Sequence, residues 1–376
     1  MAVAKKWRTP ALIFSFISLA NVCLSAGDDP IDPRLDIAYQ LSHGPAGMTF
    51  APNGNLILSL HQFYTPRDRV VEVTKDGEVK PFPSIATSRG LEGAPFVLDS
   101  VQGLQADHRG VIWMLDNGRR GEATPKLVGW HYKDQEVYKI VHLPPPVTGP
   151  NSFVADLAVD PEEDFVYISD PTPGGTPALI VVDLKSGLAR RVLGGHTSVT
   201  PKNVELRIDG NPVEVRRIDG SLADPGGGVN AIAVDRKGEW LYYGPMKGKV
   251  LYRVPTKALQ DRRLSAAELT AAVEPYSEKP ISEAITIDSK GNIYVTDASL
   301  KAVGVIREKD KKYRPLAVDA RILWPDGICF GTESKKVYFF TNQLHRSAYF
   351  NKGRNLAKAP FYVFRVDALA SGTPGR

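Results

Sequence analysis

Asn230-Ala-Ile-Ala-Val-Asp-Arg-Lys-Gly-Glu-Trp-Leu-Tyr-Tyr243 and Glu283-Ala-Ile-Thr-Ile-Asp-Ser-Lys-Gly-Asn-Ile-Tyr-Val-Thr296 are two copies of one pattern. A short apolar run leads into an Asp-x-x-Gly turn, and a second run of β-branched and aromatic residues follows. Gln102-Gly-Leu-Gln-Ala-Asp-His-Arg-Gly-Val-Ile-Trp-Met-Leu115 is a third copy, and weaker ones begin at Gly47, Ala155 and Asp326. The turn positions fall at Pro52, Asp107, Asp160, Asp235, Asp288 and Gly331, so successive gaps are 55, 53, 75, 53 and 43 residues. The first run alternates as a strand does, and the second suits a strand buried on both faces. The Gly of each turn supplies a residue able to take φ > 0. Six short-stranded units in order predict an all-β fold, a six-bladed β-propeller, with a few short helices or loops in the connections.

The long gap holds an insertion between Leu193 and Gly228. Within it, Asp209-Gly210 between two alternating runs predicts a hairpin. Ser265-Ala-Ala-Glu268 reads as a capping box opening a short helix. A third irregular stretch, Asn342 to Pro360, interrupts the last unit. Long loops of this kind gather at one rim, where they can cover the channel.

The N-terminus reads separately. Lys5, Lys6 and Arg8 precede an apolar run from Ala11 to about Leu24, followed by Ser25-Ala26-Gly27 and an acidic pair. This is the pattern of a cleavable signal peptide over residues 1–26, leaving 27–376 as a single propeller domain in a secreted or periplasmic protein with no membrane anchor. Cleavage would lower the formal charge from +5 to +2 by removing Lys5, Lys6 and Arg8 and no carboxylate. The residual charge is small and no basic stripe carries stacking aromatics, which argues against a nucleic-acid partner. Of two cysteines only Cys329 would remain, so no disulfide framework supports the fold. It is expected to be a small buried hydrophobe. Trp113, Trp130 and Trp240 sit in strand patterns and are expected in the core. His61, His196 and His345 lie in irregular segments where a surface position is expected, although each could reach a channel mouth. The protein is expected to be a monomer that handles a small molecule.

A propeller concentrates chemistry at one end of its central channel, where the first residues of the innermost strands converge. Those positions are Gly47, Gln102, Ala155, Asn230, Glu283 and Asp326, with Asp156 one step later in the third unit. Oxygen donors from several blades suit a hard divalent cation, Ca²⁺ first and Mg²⁺ or Mn²⁺ as alternatives. Glu283, Asp326, Asn230 and Gln102 are the metal candidates. Two carboxylates in one channel repel unless a cation or a shared proton intervenes. Polar residues at these places can also simply hydrogen-bond backbone groups or channel water. No Gly-x-Ser-x-Gly elbow, His-Glu-x-x-His or phosphate loop occurs.

The chain resembles the Yellow / major royal jelly protein family from about Leu35 onward. Val111-Ile-Trp-Met-Leu-Asp-Asn-Gly118, Val166-Tyr-Ile-Ser-Asp170, Leu241-Tyr-Tyr-Gly-Pro-Met246, Leu251-Tyr-Arg-Val-Pro-Thr256 and Val337-Tyr-Phe-Phe-Thr-Asn-Gln343 carry the likeness, in order. The resemblance implies a secreted six-bladed propeller; insect members include dopachrome-converting enzymes and proteins that bind small amines. The cysteine pairs of insect members are missing here. More distantly, the chain is similar to the gluconolactonase / regucalcin family, which holds a divalent metal with Glu, Asn and Asp at blade starts. Trp324-Pro-Asp326-Gly327 is similar to that family's Pro-Asp-Gly, and Gln102, Asn230, Glu283 and Asp326 share its spacing around the ring. Gln102 stands where a Glu is expected and Glu283 where an Asn is.

These implications lead to three expectations. The first is metal-assisted hydrolysis of a lactone or similar ester, with Asp326 and Glu283 catalytic and Asn230, Gln102, Asp156 and His196 binding substrate. The second is non-catalytic binding of an amine or catechol, and the third is tautomerisation of a dopachrome type.

Overall fold

The computed structural model describes residues 31–120, 122–333 and 335–376. The expected signal peptide, with Cys23, lies outside the described residues. Six antiparallel sheets of four strands follow one another around the ring. Their innermost strands are Pro45–Phe50, Val101–Ala106, Asp156–Asp160, Val229–Val234, Ile285–Ile287 and Pro325–Phe330. We call these sheets blades one to six. The outermost strand of blade six is Asp36–Leu41, drawn from the other end of the chain and paired with Phe361–Asp367 from Asp36↔Arg365 to Leu41↔Phe361. The ring is therefore closed by hydrogen bonds between chain segments more than 300 residues apart, which removes the open edge a linear array of blades would leave.

The repeated turn has a physical reason. Asp107 accepts the backbone N–H groups of Arg109 (2.9 Å) and Val111 (3.1 Å) and the indole N–H of Trp113 (3.0 Å). Asp288 likewise accepts Lys290 N–H (2.8 Å), Asn292 N–H (3.0 Å) and the Tyr294 hydroxyl (3.0 Å). Trp113 and Tyr294 occupy the same register of the second strand, so one carboxylate closes the turn and pins the aromatic wall beside it. Gly110 and Gly291 complete the turn at φ +83° and +80°.

The core is divided among the blade interfaces. Trp113, Leu127, Val166 and Ile180 pack between blades two and three, Tyr167, Leu179, Ile232 and Tyr243 between three and four, and Tyr294, Phe330, Phe339 and Phe364 between five and six. Three further clusters fill the other interfaces. Each apolar side chain buried this way contributes about 1.5–3 kcal/mol. A seventh cluster joins Leu206, Ile208, Val215, Trp324, Leu344 and Phe350, beneath the two insertions at one end of the channel.

Local expectations fare well. Asp209 and Gly210 form the hairpin turn at φ +53° and +75°. Ser265 caps helix Ala266–Ala271 with the full capping box. Cys329 is buried in the first strand of blade six. Trp113 and Trp130 are buried as expected, but Trp240 is only half-buried, with the Arg253 guanidinium 3.9 Å from its ring centroid.

Candidate functional site

The blade-start residues reach the channel because the inner strands are irregular at that end. The ladder is interrupted between Pro45 and Gly47, Val101 and Leu104, Val229 and Ile232, and Asp326 and Ile328. A bulge re-aims the side chain beside it, which turns Gln102, Asn230 and Asp326 toward the axis. The inner strands are packed so closely that a Cβ on Gly103 would meet Asp156 Oδ1 at 2.8 Å and Leu157 Cδ2 at 2.7 Å.

One cavity of about 120 Å³ is lined by Gly47, Gln102, Ala155, Asp156, Asn230, Glu283 and Asp326 together. Thus five of the six side chains singled out in the sequence meet at one mouth. His196 does not. Its Nδ1 lies 2.8 Å from Ser198 Oγ, which in turn lies 2.9 Å from the Tyr243 hydroxyl, on the interface between blades three and four. His61 is buried and His345 half-buried, contrary to the surface position expected of them. His61 lines the cavity, and its Nδ1 accepts the Phe63 N–H at 3.1 Å. His345 stacks on Trp324 at 6.0 Å and 11°, and burial pushes its imidazole down to about 4.

Each carboxylate is held by named donors. Glu283 accepts the Asn230 amide on one oxygen and the Trp324 indole N–H, at 3.1 Å, on the other. Asp326 accepts the Gly327 N–H (2.8 Å) and the Asn342 amide (3.0 Å). Asp156 Oδ1 accepts the Leu157 N–H at 2.9 Å. Trp324 itself sits at φ +57°, a conformation costly for a bulky residue, and His345 and Phe350 pack against its ring.

Burial dominates the electrostatics. It pushes the Asp156 carboxyl up to about 8, opposed by the Leu157 N–H and reinforced by the charge of Asp326. Glu283 is raised well above the ordinary carboxylate range by burial and then by Asp326, against the pull of Asn230 and Trp324. Burial raises Asp326 too, opposed by the Gly327 and Asn342 donors. Behind Glu283 lies Lys279, whose ammonium donates to the carbonyls of Gly248 (2.9 Å) and Pro280 (3.0 Å) and is pushed down to about 7 by burial. Three carboxyls and one weakened ammonium leave a site that demands protons or a cation.

Two carboxylates and two amides, with no thiolate or imidazole among the donors, suit a hard cation in kind. Among the described residues, no three His, Cys, Asp or Glu side chains are spaced to hold a metal ion by themselves. An ion here would need the amide oxygens of Asn230 and Gln102 beside Glu283 and Asp326.

The aromatic half of the mouth was missing from the sequence reading. Phe63 and Tyr349 stack at 4.4 Å and 18°, Phe153 stands 6.5 Å from Phe63, and Phe350 meets Tyr349 edge-on at 5.3 Å. All four rings line the cavity. Three of them come from loops outside the repeat and one from the approach to blade three, so no periodic signal points to them. Only the composition of Asn342 to Pro360, a long loop at the rim, marked that segment as a candidate cover.

Solved structures with this architecture include a luciferin-regenerating enzyme (11% identity, TM-score 0.55, covering 91% of this chain and 97% of that one). A gluconolactonase from Xanthomonas campestris aligns at 12% identity and TM-score 0.53 over 89% of each chain. Regucalcin, a calcium-binding protein from Agrobacterium tumefaciens, aligns at 13% and 0.53 over 90% of this chain and 95% of that one. At such identities the likeness shows the shared fold. The comparison with curated proteins finds no match. The family model described as major royal jelly protein matches residues 99–374, from the approach to blade two through blade six, and the chain belongs to that family.

Proposed function

We propose that the protein is exported and hydrolyses a small lactone or similar ester at the acidic mouth of its channel. The observation that carries this reading is the convergence of Asp156, Glu283 and Asp326 from three blades on one cavity, with carboxyls raised toward neutral pH. A carboxyl poised near the working pH can both take and return a proton during ester cleavage. Asp326 is the general base, one oxygen held by the Gly327 N–H and the other by the Asn342 amide. Asn230 and the Trp324 indole orient Glu283, and the aromatic rings exclude water from the substrate's far side. A divalent cation held by Glu283, Asp326, Asn230 and Gln102 would supply Lewis-acid polarisation of the ester carbonyl and a more acidic water. The gluconolactonase of the same fold supports the reading by analogy only.

A second reading, retention of an aromatic amine without turnover, is favoured by the Phe63–Tyr349 stack above the carboxyl floor. Aromatic faces and a buried anion together recognise an organic cation. The deciding experiment is a lactone panel assayed with Ca²⁺, Mn²⁺ or chelator, on wild type, Glu283→Gln and Asp326→Asn, beside calorimetry with 2-phenylethylamine. Turnover that both substitutions reduce at least about 100-fold supports hydrolysis. No turnover under any condition, with amine binding that Asp326→Asn abolishes, replaces it with the second reading.

A further inference from the structure

The channel has a second end, and the residues Ser371–Arg376 occupy it. The Gly375 N–H donates to the Phe330 carbonyl at 2.8 Å, and the Phe330 N–H to the Arg376 carbonyl at 2.9 Å, so this segment adds to the inner strand of blade six. The Gly375 carbonyl accepts the Thr49 hydroxyl of blade one at 2.9 Å and the Ala106 N–H of blade two at 3.3 Å. The Thr286 hydroxyl of blade five reaches the Arg376 carbonyl at 2.8 Å, and the Ser289 N–H reaches Ser371 at 2.8 Å. The Arg376 guanidinium donates to the Val159 carbonyl of blade three at 3.0 Å. Its charge is surrounded by Asp160, Asp235 and Asp107, the turn carboxylates of blades three, four and two. Six residues thus touch five blades by hydrogen bonds and face the sixth electrostatically.

From this we infer that Ser371–Arg376 is an internal plug that makes the channel a blind well, with the acidic mouth as the one route for ligand. The Asp-x-x-Gly turns explain why it fits there. Every inner strand runs from the mouth to its turn, so turn carboxylates collect at the far end and form an anionic collar for one guanidinium. A smaller cavity of about 50 Å³ lies between, lined by Gln105, Asp156, Thr286, Cys329, Gly375 and Arg376. Met48, Leu104, Asp156 and Ile328 line both cavities, so the two chambers adjoin at this level of the channel. The fit at Gly375 is tight. Its φ is +80°, and a Cβ there would meet Ala106 Cβ at 2.8 Å and Thr49 Oγ1 at 2.9 Å.

Cys329 makes the inference testable, because this buried residue lines the lower chamber while its thiol packs in the adjoining interface of blades six and one. In a full chain carrying Cys23→Ser it is the sole thiol, and its labelling by a charged methanethiosulfonate reports water access to that chamber. The intact protein should label slowly in native buffer, and deletion of residues 371–376 should speed labelling by at least about tenfold. Gly375→Val is the second variant, which dislodges the plug without shortening the chain. Its labelling should be fast and nearly independent of low urea, the signature of local opening rather than global unfolding. Intact protein that labels as fast as the deletion overturns the proposal, as does a folded deletion that labels no faster than intact protein. Should the deletion fail to fold, Gly375→Val decides: labelling only at the urea-dependent rate of global unfolding also overturns it.

Discussion

Asp156→Asn should stabilise the metal-free protein at pH 8 and leave it nearly unchanged at pH 4. The side chain keeps its acceptor for the Leu157 N–H, so the substitution removes a titrating charge and little else. The folded-state carboxyl titrates at about 8, against an ordinary value of 3.8 in the unfolded chain. Between those limits the unfolded state has released the proton and the folded state still holds it. Stability from this group is therefore fully present below about pH 4 and is lost as pH rises toward 8. At pH 7 the loss is at most about 4 kcal/mol, from 1.36 kcal/mol per unit of difference. That is a ceiling, since Asp156 faces a cavity and water there relaxes the penalty. For a chain of this size about 4 kcal/mol corresponds to about 5 °C in melting temperature. The assay is thermal melting of wild type and Asp156→Asn in chelator from pH 4 to 9. The variant's advantage should grow steadily with pH. A constant difference, or a variant less stable at pH 8, refutes the assignment of a proton to this carboxyl.

Adding Ca²⁺ or Mn²⁺ to chelated protein should raise the melting temperature, by about 2.7 kcal/mol of stability at a hundredfold excess over the dissociation constant, and Asn230→Ala should erase the rise. Trp324→Phe removes the indole donor to Glu283 while keeping the ring; it should lower kcat on the best lactone about tenfold with KM little changed, whereas Trp324→Ala should cost about 3–5 kcal/mol of stability in urea titration. Asp288→Ala removes the acceptor of two backbone N–H groups, the Asn292 amide and the Tyr294 hydroxyl, and should cost about 3 kcal/mol by the same titration, with Tyr294→Phe, which also strips the Leu369 N–H of its acceptor, costing about 1–2.

The blades were legible because their signal is local and repeated. Asp107 and Asp288 each need a Gly three residues on and an aromatic donor six residues on, and that constellation survives in the sequence whatever the neighbouring blades do. Ring closure was not legible. Nothing in Asp36-Ile-Ala-Tyr-Gln-Leu41 announces that its partner is Phe361–Asp367, since strand pairing is set by the three-dimensional ring and not by spacing. The plug fails for the same reason. Ser371-Gly-Thr-Pro-Gly-Arg376 carries no strand or helix periodicity, and only the converged turn carboxylates give its arginine a destination.

The site divides along the same line. Gln102, Asn230, Glu283 and Asp326 occupy equivalent places in a periodic array, so knowing one places the rest, and the cavity gathers all four. His196 belongs to an insertion, where position in the sequence carries no position in space, and it packs at a blade interface instead. Phe63, Tyr349 and Phe350 also come from segments outside the repeat, yet they gather over the carboxyls because the insertions bury Leu206, Val215, Leu344 and Phe350 in a cluster of their own. The repeat therefore encodes the charge at the mouth, and the insertions encode its aromatic wall. On the proposed function, substrate choice would reside in the half of the site that periodicity cannot reach, so exchanging the loop Asn342 to Pro360 should alter which molecule binds, read by calorimetry, while leaving the raised carboxyls of Asp156 and Glu283 in place.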